Sequence, residues 1–110
     1  MAIIIKCDNP ARLLKKIKLA IDNDEVETWS YDEDGDFTHT PAQWKYEAWL
    51  EPHIHTGELR FGILRRKDIV LTDYIYGVYH GRFIEMLLNH FDEEFIIAYA
   101  TAHKTVPDNF

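Results

Sequence analysis

Apolar positions change their spacing several times along this chain, and each change marks an element. Residues 2–7, Ala-Ile-Ile-Ile-Lys-Cys, form a continuous β-branched run, the mark of a strand central in its sheet or covered on both faces. Asn9-Pro10 then supplies a helix cap and a proline at the first helical position. Leu13, Leu14, Ile17, Ala20 and Ile21 recur at helical spacing with Lys15, Lys16 and Lys18 turned outward, and the helix ends near Asp22-Asn23-Asp24. Acids at a helix C-terminus oppose its dipole, which points to a role for them other than helix stability.

The chain continues with short extended pieces. Val26–Tyr31 reads as a strand, Asp34-Gly35 as a hairpin turn, and Asp36–Thr40 as the returning strand. Thr40-Pro41-Ala-Gln43 has the grammar of a helix start, and one or two helical turns carrying Trp44 are expected there. Trp49 to Leu64 is the best hairpin. Pairing its arms about Thr56-Gly57 sets His55 against Glu58, Ile54 against Leu59, His53 against Arg60, Pro52 against Phe61 and Leu50 against Ile63. That register gives one apolar face and one mostly polar face of Glu51, His53, His55, Glu58 and Arg60. Thr72 caps a helix running from Asp73 to about Phe91, whose polar stripe is only Gly77, Gly81, Glu85, Asn89 and the flanking Arg82. So apolar a helix has to be covered on two sides or buried against a second subunit. Residues 95–101 close the pattern as a strand, with a short helix capped by Asp92 as the alternative.

The expected architecture is α+β: a single mixed or antiparallel sheet of about five to six strands, in the order β-α-β-β-(short α)-β-β-α-β, with two main helices packed on one face. Residues 1–103 form one domain, and 104–110 lack periodicity and read as a C-terminal tail. With 46% hydrophobic residues, and six Phe, six Tyr and three Trp among 110, the chain can build a core without staples. The single cysteine, Cys7, excludes an internal disulfide and suggests a reducing compartment; the opening apolar run is too short for a leader or membrane span, so a cytoplasmic location is expected.

Charge adds the most unusual feature. Asp22, Asp24, Glu25, Glu27, Asp32, Glu33, Asp34 and Asp36 fall in one stretch with no Lys or Arg; without these eight the net charge of −7 becomes +1. An acidic balance argues against general binding of nucleic acid. The stretch, with Trp29 and Tyr31 inside it, suits a basic protein partner, and a solvated turn is the plainer reading. Asp32-Glu-Asp34-Gly-Asp36 is not an EF-hand loop: its glycine falls fourth rather than sixth, and the twelfth position is Gln43. The basic run Arg65-Arg66-Lys67 is placed to face this segment, in the same chain or in a second one.

His53 and His55, two apart on a strand, share a face and are candidate metal ligands, with His39 or Glu58 to complete the set; Arg60 opposite His53 opposes a cation there. In the long helix, Gly77 and Gly81 stand one turn apart beside Tyr76 and His80, spacing that lets a second helix approach closely. An enzymatic reading with His80 as base and Arg82 as anion binder fails on direction, since the two project about 200° apart. No phosphate loop, nucleophile elbow or paired cysteines are present, no cofactor is implied, and no residue string marks a characterised family. The expectation is a non-enzymatic interaction module, inhibitor- or immunity-like, homodimeric through the long helix. The alternative is a small His-based or metal-dependent enzyme or ligand binder.

Overall fold

A computed structural model describes residues 2–110. Six strands form one antiparallel sheet: β1 (Ile3–Lys6), β2 (Trp29–Tyr31), β3 (Phe37–His39), β4 (Ala48–His55), β5 (Glu58–Arg65) and β6 (Ile97–Ala100), in spatial order β2-β3-β4-β5-β1-β6. Helices α1 (Pro10–Asp22) and α2 (Asp73–His90) pack on the same face. The α+β class with a single sheet and two main helices is therefore the architecture.

Local chemistry accounts for the elements. The Asn9 side chain accepts the Arg12 N–H and Pro10 occupies the first turn of α1; the Thr72 hydroxyl accepts the Ile75 N–H at the start of α2. α1 stops in a Schellman arrangement, with Glu25 N–H donating to Ala20 O (2.9 Å) and Asp24 N–H to Ile21 O (3.1 Å). Asp24 takes the left-handed conformation that this stop requires, at φ 60°. Register in the β4–β5 hairpin is the one the side-chain alternation predicts, from His55 against Glu58 to Leu50 against Ile63, and Gly57 takes the positive φ of its turn.

Segment 41–47 differs from its helical grammar. It makes a run of hydrogen-bonded turns, with a single i→i+4 bond from Lys45 N–H to Pro41 O. The Tyr46 N–H turns instead to the Thr38 hydroxyl (3.1 Å), and Tyr46 sits at φ 63°, which ends any helical continuation. Residues 92–94 form a 3₁₀ turn without a side-chain cap and Ile97–Ala100 are β6, so the strand reading of 95–101 holds and the helix capped by Asp92 does not form.

Ile3 and Ile5 of β1, Leu59, Phe61 and Ile63 of β5, Leu13 and Ile17 of α1, and Tyr79, Phe83 and Leu87 of α2 make the core. α2 buries Tyr76, Tyr79, His80, Phe83, Met86 and Leu87 against its own chain and leaves an exposed strip that includes Tyr74, Gly77, Gly81 and Leu88. Beyond the sheet, Trp44 packs on Tyr74, and Phe110 packs edge-on against Tyr76. The C-terminal segment lies along the edge of β5 that β1 leaves free. Asn109 N–H donates to Ile63 O (3.0 Å), and Pro107 passes so close to Gly62 that a Cβ there would fall 2.3 Å from Pro107 O.

The two borders of the sheet are unlike. β2 is flanked by acids at both ends, whereas β6 carries no charge and exposes Ile97 and Tyr99. Among the described residues no helix is long and apolar enough to cross a membrane.

Candidate functional site

The acidic stretch wraps the β2 border. Its first group follows from the stop of α1: Asp22 accepts the Tyr31 hydroxyl at 2.7 Å, and Asp24, Glu25 and Glu27 emerge on the way into β2. That bond to Asp22 raises the Tyr31 pKa. Its second group is the β2–β3 turn, where Asp32 Oδ1 accepts the N–H groups of Asp34 and Asp36, both at 3.0 Å. Gly35 supplies the positive φ, and Lys18 Nζ lies against it from the helix side. Asp22, Asp24, Glu25, Glu27, Asp32, Glu33 and Asp34 are exposed, as a partner surface requires.

Trp29 and Asp36 are not presented. Trp29 pairs with His39 across β2–β3, and Tyr79 and Phe83 of α2 close over its indole edge-on, leaving it 1% exposed. Asp36, just before β3, is 8% exposed and lies beside β4, lining a groove with Trp49 and within the fields of Glu51 and His53. Burial, with Asp32 close by, pushes its carboxyl up to about 6.

None of the eight acids makes an ion pair with Lys, Arg or His among the described residues. Five of the other eleven carboxylates do pair with Lys or Arg. Glu58 is held by Lys6 and Arg60, Glu94 by Arg12 and Lys16, Glu85 by Arg82, and both Glu47 and Asp68 by Arg66. The Arg65-Arg66-Lys67 run does face the acidic turn within the same chain, across a groove floored by Trp49 and Leu64, without reaching it.

A second feature was not legible in the sequence. Glu25, Glu27, His39, Trp44, Arg82 and Glu85 line a cleft of about 490 Å³ between the entry to β2, the 41–44 turn and the polar stripe of α2. His39 is 4% exposed, and its Nδ1 lies 2.8 Å from Thr28 O. A carbonyl only accepts, so Nδ1 carries the proton and Nε2 keeps its lone pair. Burial holds the His39 pKa below the ordinary imidazole value, keeping the ring neutral at pH 7. The lining therefore holds three acids against the single charge of Arg82. The signal was present as the Arg82, Glu85, Asn89 stripe, but nothing in it says which segment folds over α2.

The histidines do not converge. His53 and His55 lie on the open face of the sheet, where His53 Nε2 meets Glu51 at 2.6 Å, while His39 is on the helix face. The four α2 residues also separate. Tyr76 and His80 are buried, with rings stacked at 4.4 Å and the His80 Nδ1–H donating to Tyr76 O at 2.7 Å. Gly77 and Gly81 face outward, with nothing within 4 Å of where a Cβ would stand. Cys7 is 3% exposed and its thiol pKa is raised by burial, as suits a small core residue rather than a nucleophile.

Comparison of the chain with protein-family models, with curated proteins and with solved structures found no match.

Proposed function

We propose that this chain is a non-enzymatic interaction module, inhibitor- or immunity-like, that receives a basic protein partner on the acidic border formed by residues 22–36. The observation that carries this reading is that, among the described residues, none of those eight acids pairs with a cation, whereas five of the other eleven carboxylates pair with Lys or Arg. Self-repelling charges left unpaired at one border lower stability, and a cationic surface docking there relieves them and speeds encounter. The cleft beside the border fits the same role. Its net negative lining and the Trp44 wall suit one Lys or Arg side chain of the partner.

The working context we infer is cytoplasmic, consistent with a buried, unpaired Cys7. We further infer a homodimer through the outward strip of α2, where Gly77 and Gly81 leave room for a second backbone between the exposed Tyr74 and Leu88. A second reading rests on His39: a neutral imidazole with a free lone pair in a cleft beside Arg82 suits a small-ligand binder or His-based enzyme.

The test is affinity capture from the source organism with the wild type and two charge reversals, Glu25→Lys/Glu27→Lys and Asp32→Lys/Asp34→Lys. The expected result is one saturable partner of high pI, weakened by salt and lost with either reversal. Capture unchanged by both reversals overturns the proposal. Sizing by light scattering decides the dimer, and a 13.0 kDa particle at high concentration rejects it.

A further inference from the structure

We propose that the cleft beside the β2 border is a pocket for one arginine side chain of the partner, with His39 Nε2 accepting a hydrogen bond from its guanidinium. The inference rests on the partner reading above and fixes which side chain the partner inserts.

The acceptor is the observation that carries it. His39 is 4% exposed and donates its Nδ1–H to Thr28 O at 2.8 Å, so the Nε2 lone pair is what the ring has left to offer. No hydrogen bond reaches Nε2, yet among the described residues the only sealed side-chain polar atom without a partner is Trp29 Nε1. Nε2 therefore keeps an opening. The cavity that His39 lines is the cleft, and Arg82 and Glu85 of α2 lie within electrostatic reach of the ring. A lone pair at such a floor takes its donor from a ligand.

The rest of the lining decides the charge of that donor. Arg82 Nη1 lies 3.3 Å from Glu85 Oε2, so the one Lys or Arg of the wall is already paired, while Glu25 and Glu27 are not. The wall that results is net negative and favours a cation. Its size is set by the spacing of the acids. Among the described residues, no three of the His and acidic side chains lining the cleft bring ligand atoms within 4.8 Å of one another, which is too wide for one metal ion.

Trp44 selects between the two basic side chains. It is half-buried on the cleft wall and held by Tyr74, with ring centroids 5.2 Å apart. A guanidinium is planar, stacks on an aromatic face and carries five N–H donors in a fixed fork, so it can meet an imidazole and a carboxylate at once. An ammonium is a compact, strongly hydrated point charge that gains little from a ring and a single neutral acceptor.

The test uses the full chain and three capped amino acids, so it needs no partner. N-acetyl-arginine methylamide is titrated against ¹⁵N-labelled protein, beside the lysine analogue and the citrulline analogue, which keeps the shape of arginine and lacks its charge. The arginine probe is expected to saturate 1:1 at about 1–10 mM, the level that a few well-placed atoms reach. Its binding should move the His39 Nε2 resonance. The lysine and citrulline probes should bind at least about fivefold more weakly. Glu85→Gln, at an exposed position of α2, should weaken the arginine probe about threefold or more, while Glu33→Gln, an exposed acid outside the cleft, should leave it unchanged. An arginine probe that does not saturate well above that range overturns the proposal. So does equal binding of the arginine and lysine probes, or an Nε2 resonance that stays still at saturation. Free L-arginine binding more tightly than the capped probe overturns the partner as the source and assigns the cleft to a small molecule. Failure of the probe, with capture still lost in Glu25→Lys/Glu27→Lys, removes the pocket and leaves the acidic border as a docking surface.

Discussion

Tyr76 and Asp108, 32 residues apart, meet at 2.7 Å through the phenol hydroxyl and Oδ2, while Oδ1 of the same carboxylate accepts the Ile63 N–H at 2.9 Å. Oδ2 also accepts the Thr105 N–H at 3.0 Å, so one side chain ties the C-terminal segment to β5, to α2 and to its own turn. Asp108→Ala is expected to lower stability by about 2–3 kcal/mol, the range for hydrogen bonds to a charged, part-buried acceptor. Urea denaturation checks this. A change under about 0.5 kcal/mol, the size of an ordinary surface substitution, would mean that the segment docks without stabilising the domain.

The same segment makes Gly62 irreplaceable. An alanine Cβ at this position meets Pro107 O at 2.3 Å and Pro107 C at 2.4 Å, and both are backbone atoms that cannot swing aside. Gly62→Ala should destabilise the chain by about 2 kcal/mol or more and expose the Asn109 amide to exchange. In a chain ending at Lys104 the same substitution should cost little. Equal penalties in the long and short chains would place the strain elsewhere.

On the open face, Glu58 is clasped by Arg60 Nε and by Lys6 Nζ at 2.8 Å. These hydrogen bonds pull its carboxyl down to about 2. A folded pKa below the unfolded value contributes stability above the ordinary carboxylate range, and that contribution is lost as pH falls toward 2. Glu58→Gln should therefore flatten the acid limb of the stability profile between pH 5 and pH 2, measured as urea midpoints. Parallel profiles for the two proteins would show that the clasp does not survive in solution.

Much of the frame was written in local pattern. The hairpin register followed from alternation between Leu50 and Ile63, and both helix starts followed from Asn9 and Thr72, since each of these signals spans only a few residues. What stayed hidden depends on distant partners. Nothing near Trp29 announces that Tyr79 and Phe83 will cover it, and nothing in residues 104–110 shows that Asp108 will find Tyr76. The candidate site divides the same way. The acids could be counted in advance, whereas their lack of cation partners, the burial of Asp36 and the cleft around His39 arise only when β3 and α2 are in place.

Asp36 gives a further prediction through its raised pKa. A carboxyl pushed up to about 6 in the folded chain lowers stability once pH rises above the ordinary carboxylate range, and that penalty is absent at acid pH where the group is neutral. Asp36→Asn is therefore expected to raise stability by about 1 kcal/mol at pH 7 and to leave it unchanged near pH 4. Thermal melts at the two pH values check the pair of outcomes. A variant less stable than the wild type at pH 7 would show that the charge is already satisfied.

The unequal borders of the sheet set a limit on growth. β2 carries acids at both ends and repels its own image, while β6 offers the uncharged Ile97 and Tyr99. Strand addition between copies can join only at β6, and two copies so joined present a β2 border at each outer end. The acids at that border oppose further strand addition, so the charge pattern at β2 works against sheet growth beyond such a pair.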